Sequence, residues 1–300
     1  MNTFASFHEA FHYLVELVFK EGSKVPGPQS RTSIGSDFGE SRKATYEVIS
    51  PTVKILDPRN RLLPGGCRRT NLGFAFANYL WALTPGAEAS QVISYNERGR
   101  DFTDEKGSLV CGLSKRLIGD GSQSPLKDLI DLMKRDINTR RAYIGFVYPS
   151  DLRDEPRDFS CFGSMQFLHR HGRLDCIASM RSQSILGVMP YDIALLTMVQ
   201  ETVANELDLD LGSYYHHCGS LHYYSSEESQ IRSILNCEGV IEAMSPMPAQ
   251  TPLSEDSVLI AAEKTLRESG HIDADRLEPY WLNIFKSMKS SLKSDKGLEW

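Results

Sequence analysis

The stretch that most restricts the fold is "GSMQFLHRHGRLDCIASMRS", residues 163–182. Apolar and polar side chains alternate on both sides of "RHGR", so it reads as two strands joined at that tetrapeptide. Downstream, "YDIALLTMVQETVANEL" reads as a long helix with an apolar face, and "LGSYYHHCGSLHYY" returns to strand. Upstream, "ATYEVISPTVKIL" alternates as a strand and "LGFAFANYLWAL" is apolar enough for a buried helix. Leu126, Leu129, Ile130 and Met133 mark a helix over 126–136, ahead of "NTRRAYIGFVYP", a strand entered through two arginines. Strands mixed with helices in this way favour α/β or α+β layers.

The ends of the chain read as supporting structure. In "MNTFASFHEAFHYLVELVFKEG" the spacing of Phe4, Phe7, Phe11, Leu14 and Val18 is helical, and Glu9 and Glu16 interrupt what would otherwise suggest a targeting segment. Residues 22–41 are rich in Gly, Ser and Pro and read as a loop long enough to act as a lid. Residues 244–256 read as a linker inside a single domain spanning 1–300, whose variable C-terminal region at about 250–300 holds two amphipathic helices. No internal repeat is present.

A net charge of −6 argues against a nucleic-acid coat or a membrane-surface role, because both need a basic surplus. Any anionic ligand must therefore meet local arginines. No stretch approaches the roughly 20 apolar residues of a membrane span, so the cytoplasm is the expected location. Six cysteines without a Cys-x-x-Cys pair fit neither a zinc site nor a disulfide framework, and are expected to be reduced thiols. His8 and His12 stand one helical turn apart but lack a third ligand, so they read as helix-surface residues and no metal is expected.

Chemistry-bearing residues gather between 140 and 224. Cys161 lies in "SCFGSMQF"; Gly172, Leu174, Cys176, Arg181 and Ser182 follow; "LGVMPYDIA" carries Asp192; and Gly219, His222 and Tyr224 close the series. In this order the segments resemble the motifs of thymidylate synthase and its nucleotide-hydroxymethylating relatives: Pro-Cys-His-x-x-x-Gln-Phe, Gly-x-Leu-x-Cys-x-x-x-Gln-Arg-Ser, Leu-Gly-x-Pro-Phe-Asn-Ile-Ala and Gly-Asp-x-His-x-Tyr. "NTRRAYIGFVYPSDL" is similar to the family strand whose arginines reach the partner subunit's phosphate.

The resemblance implies a layered α/β (α+β) fold whose mixed sheet, packed by helices, is also the dimer surface. It implies a pyrimidine nucleoside monophosphate as substrate and 5,10-methylenetetrahydrofolate as one-carbon donor. Cys161 would be the nucleophile. Arg181, Ser182, Arg140 and Arg141, with Arg42 and Arg31 as its runner-up, would grip the phosphate. His222 and Tyr224 would meet the sugar, and Gln166 and Ser184 would contribute to substrate binding.

Two readings of Asp192 are open on local pattern: a helix cap, or a group turned toward a ligand. Where this chain has Asp192 the family has an asparagine that pairs with uracil, and an ionised aspartate cannot donate as that asparagine does. Aspartate suits the amino edge of cytosine and is what cytidylate-type hydroxymethylases carry, so the resemblance implies hydroxymethylation of CMP or dCMP, with capping able to coexist. The alternatives are a thymidylate synthase acting on dUMP and a catalytically degenerate nucleotide-binding homologue. Met180, Phe162, Asn78 and Ser220 replace family glutamine, histidine, glutamate and aspartate, and the family's closing C-terminal tail has no counterpart.

Overall fold

The computed structural model describes residues 1–26, 44–65, 68–120, 123–154, 156–237, 239, 243–253 and 257–292. Arg31, Arg42 and Cys67 lie outside them. The 163–182 segment forms the expected hairpin, with β6 at Phe162–Arg170 and β7 at Arg173–Ser184. His171 and Gly172 turn between them at φ 52 and 76, the two left-handed residues that a tight hairpin with native twist requires.

Parallel neighbours cannot be joined by a hairpin and need a crossover. β7 pairs in parallel with β8 (Asp210–Tyr224), and the crossover is α4 (Met189–Glu206). Before these elements come β1 (Asn2–Phe4), α1 (Phe7–Glu21), β2 (Ser23–Val25), β3 (Thr45–Ile49), β4 (Thr52–Ile55), α2 (Leu72–Ala82), α3 (Pro125–Arg135) and β5 (Tyr143–Gly145). After them come α5 (Glu228–Leu235), α6 (Val258–Ser269) and α7 (Pro279–Ser291). The mixed sheet runs β1-β4-β8-β7-β6-β5, with β3 also pairing β8 and β2 pairing β3.

Leu174, Cys176, Ala178 and Met180 of β7 are buried on the face covered by helices. α4 is buried around most of its circumference because it lies between the sheet and α2, and the hydroxyls of Tyr79 and Thr202 bond at 2.7 Å between these two helices. Trp281 of α7 stacks on Tyr79, so the C-terminal helices share one continuous core with α1 and the sheet. The opposite face, with Gln166, Leu168, Ile177, Ser179, Tyr215 and His217, carries no helix among the described residues and is half-buried.

Several local expectations change. "ATYEVISPTVKIL" is two strands, because Ser50 takes φ 59 ahead of Pro51 and breaks the run. Phe4 belongs to β1 rather than α1. The strand after Arg140 and Arg141 is only three residues long and leaves both arginines before it. Cys237 is disulfide-bonded, contrary to the reading of six reduced thiols, whereas Cys111, Cys161, Cys176 and Cys218 are free. No helix among the described residues is long and apolar enough to cross a membrane.

Candidate active site

The start of β6, the end of β7 and the last third of β8 meet beside the N-terminus of α4. Phe162 pairs with Met180, Met180 with Cys218, Ser182 with Ser220 and Ser184 with His222. The Arg181 backbone N–H donates to the carbonyl of Cys161 at 2.9 Å, fixing the cysteine at the mouth of the hairpin. A side chain at Gly219 would meet the Arg181 carbonyl at 2.7 Å, so only glycine lets β8 approach β7 this closely.

Arg181 is tied to the segment that precedes Cys161. Its Nε donates to Ser160 O at 2.8 Å and its Nη2 to Phe159 O at 2.9 Å, while the guanidinium lies over the Phe159 ring. Burial pushes the Cys161 thiol up; the Arg181 cation pulls it down and the Asp192 carboxylate pushes it up again. The net direction is upward, so Arg181 does not by itself outweigh burial. Arg181 and Asp192 thus lie near enough to Cys161 for both charges to act on its thiol, in opposite directions.

Asp192 is not a cap. α4 begins at Met189, its N-cap is Val188 without a side-chain cap bond, and the Asp192 N–H already donates to Val188 O at 2.9 Å. The side chain instead turns to β7, where Gln183 Nε2 donates to Asp192 Oδ2 at 2.9 Å. Burial raises its pKa to about 7 against the lowering effect of that hydrogen bond.

Around this centre, His222 and Tyr224 stand edge to face at 5.5 Å, and burial lowers the His222 pKa. Ser182 is half-buried opposite Ser220, whose hydroxyl donates to Glu47 Oε2. The Ser184 hydroxyl accepts from Gly187 N at 3.1 Å, shaping the turn into α4.

Gln166, Arg140 and Arg141 do not join the cluster within this chain. Gln166 is five residues along β6 from Cys161, roughly 16 Å of extended strand, and its Nε2 donates to Arg140 O at 2.9 Å. Arg140 and Arg141 are exposed near the β5 edge, and Arg141 lines a cavity of about 320 Å³ with Arg116, Tyr143 and Tyr148. Among the described residues no group of three or more His, Cys, Asp or Glu could hold a metal ion.

Three residues of the site escape the sequence reading: Gln183, His216 and Tyr214. His216 reads as an ordinary polar strand end, yet it is buried and bonded to both of the others. The alternation of Tyr214, His216 and Cys218 with half-buried neighbours is the signal that places all three on the inner face.

A thiol, a carboxylate and a guanidinium thus gather at one end of a mixed sheet crossed by a buried helix, an α/β arrangement able to host a nucleophile. The thymidylate synthase family model matches residues 89–245, just over half of the 300-residue chain, and the chain belongs to that family. It is 30% identical over 111 residues to the thymidylate synthase of Listeria monocytogenes, which is 37% of this chain and 35% of that protein. It is 27% identical over 142 residues to the thymidylate synthase of Staphylococcus haemolyticus, covering 47% and 40% of the two chains. With the deoxyuridylate hydroxymethyltransferase of Bacillus phage SP01 it shares 25% over 224 residues, 70% of this chain and 55% of that one. The matched stretches thus span about a third to just over half of these relatives.

Proposed function

We propose that the protein hydroxymethylates carbon 5 of a cytidylate, CMP or dCMP, with 5,10-methylenetetrahydrofolate as the one-carbon donor. What supports the reading is the Asp192 carboxylate, which receives a donor from Gln183 and whose charge acts on the Cys161 thiol. A carboxylate accepts the amino hydrogen at carbon 4 of cytosine, where uracil offers only a carbonyl. Unpaired polar groups make the wrong base costly, with discrimination of up to roughly 10⁴-fold in sites of this kind.

Cys161 Sγ, once ionised, bonds to ring carbon 6, and the displaced electron pair makes carbon 5 nucleophilic toward the one-carbon unit. Loss of the proton from carbon 5 with departure of tetrahydrofolate would leave an exocyclic methylene, to which water would add; expulsion of the sulfur from carbon 6 would then restore the ring double bond and leave the hydroxymethyl group. Arg181 favours the thiolate and holds the Phe159–Ser160 segment in place; with Ser182, Arg42, Arg140 and Arg141 it would bind the phosphate. His222 and Tyr224 would meet the sugar, Ser184 would border the ring beside the turn into α4, and Gln166 would act through the Arg140 backbone it holds.

When bound, the folate supplies the one-carbon unit. Asn78 and Trp81 suit it: they lie three residues apart on α2 and are half-buried on a helix whose other central residues are buried. They would offer an indole face to a flat ring and an amide to its polar edge. The chain would act in the cytoplasm as a single domain over 1–300 and as a homodimer through the helix-free sheet face, with Arg140 and Arg141 serving the partner's site.

The similarity to the phage hydroxymethyltransferase supports water rather than hydride as the final acceptor. That relative is named for a deoxyuridylate substrate, which sharpens the test of base choice. Purified protein is incubated with CMP, dCMP, UMP and dUMP tritiated at carbon 5, with and without the folate. Folate-dependent tritium release from a cytidylate, with no dihydrofolate absorbance, is the expected result. Release confined to uridylates overturns the base assignment, and dihydrofolate formation overturns the hydroxymethyl product.

A further inference from the structure

Asp192 is the end of a buried file of hydrogen bonds. Tyr214 is 0% exposed, His216 2% and Gln183 1%. The Tyr214 hydroxyl meets His216 Nδ1 at 3.0 Å, His216 Nε2 meets Gln183 Oε1 at 2.7 Å and Gln183 Nε2 meets Asp192 Oδ2 at 2.9 Å.

The direction of the file is set at its far end. Burial keeps the Tyr214 phenol protonated, and a buried hydroxyl hydrogen needs an acceptor. Among the described residues its hydrogen-bond partner is His216 Nδ1, so that nitrogen carries no proton. Burial also keeps the imidazole neutral, which leaves its single proton on Nε2. Nε2–H donates to the Gln183 carbonyl oxygen, and the amide –NH₂ is left facing Asp192. Flipping the amide would set two donors against each other at His216.

We propose, on the reading of Asp192 given above, that Tyr214, His216 and Gln183 are positioning residues that set base choice without touching the base. Their aligned donors favour the ionised carboxyl and occupy Oδ2, so that Oδ1 stands as an acceptor for the amino group at carbon 4 of a cytidylate. Without the file, Asp192 rotates and protonates more readily, and a protonated carboxyl can donate to the carbonyl of a uridylate.

The test is equilibrium binding of dCMP and dUMP to the full chain, joined to NMR of the ligand-free protein. Gln183→Leu is expected to move the ratio of the two Kd values about tenfold toward dUMP, and Tyr214→Phe, which removes one oxygen, about threefold, as loss of hydrogen bonds to a charged group predicts. The His216 ring nitrogens should show a bare Nδ1 and a protonated Nε2, and the Asp192 carboxyl should titrate higher in Gln183→Leu than in wild type. A protonated Nδ1, or an Asp192 midpoint that does not move, overturns the file whether or not any nucleotide binds. If Asp192→Asn changes the Kd ratio while the Gln183 and Tyr214 variants do not, the file is wrong and the reading of Asp192 stands. If Asp192→Asn leaves the ratio unchanged, the reading itself fails.

Discussion

Asp192 lies in the first turn of α4, where the helix dipole favours negative charge, yet burial carries its pKa to about 7. Its pKa in the unfolded chain is about 3.9. The folded state therefore binds a proton that the unfolded state lacks over that interval, and the resulting stability is fully present below the lower value and lost as pH rises through about 7. Asp192→Asn should abolish that loss, so its thermal midpoint should fall less than that of wild type as pH rises from about 5 to about 8. A wild-type curve that runs parallel to the variant's would remove the buried titration. His216 acts with the opposite sign: burial lowers its pKa to about 3. Its contribution is present above the ordinary histidine value of about 6.5 and lost as pH falls toward the folded one. His216→Asn should therefore flatten the acid side of the same profile. Cys161 gives the simplest case: Cys161→Ser should keep the melting temperature within a few degrees and abolish exchange at carbon 5, because a hydroxyl is far less ionised than a thiol.

At the scale of elements, α4 joins the Cys161–Asp192 cluster to a second buried polar group one face away. Glu201 is fully buried and receives Arg61 and, at 2.6 Å, Arg59 Nε, together with the Met247 N–H at 3.0 Å. Burial pushes its carboxyl up, but Arg61, the Met247 N–H and Arg59 bring it below the ordinary range. Glu201→Ala would leave the fully buried Arg61 without its counter-charge and should cost about 3–5 kcal/mol in denaturant unfolding. Replacing Arg61 and Glu201 together by Met and Leu should recover most of that loss, and an equal loss in both variants would show that packing rather than charge is responsible. Which elements could be read in advance follows from the range of the forces. The 163–182 hairpin was legible because His171-Gly172 is itself the turn, and α4 because its length and composition declare it. Ser50 hid the break between β3 and β4 by sitting inside an unbroken alternation. The motif residues Cys161, Arg181 and Asp192 were legible as types, but the Tyr214–His216–Gln183 file was not. It depends on the parallel register of β7 on β8 and on where α4 returns, which is information spread over residues far apart in the chain.

At the scale of the whole molecule, two features remain unexplained by one copy of the chain. Among the described residues no helix covers the sheet face bearing Gln166, Leu168, Ile177 and Tyr215, and Arg140 and Arg141 stand exposed away from the Cys161 cluster. Tyr143 and Tyr148, at 57% and 44% exposed, add apolar surface beside Arg141. A two-fold dimer through that face would bury it and bring each arginine pair to the other copy's pocket, since a two-fold interface uses the same patch on both subunits. The proposal separates cleanly from a self-sufficient monomer by mixing two inactive variants. Cys161→Ser keeps its arginines, and the double variant Arg140→Ala with Arg141→Ala keeps its thiol. Subunits exchanged to randomness give half heterodimers, each with one complete site of two, so about a quarter of wild-type exchange at carbon 5 should return. If the arginines serve their own chain's pocket, no heterodimer contains a complete site, and the mixture stays as inactive as its parts.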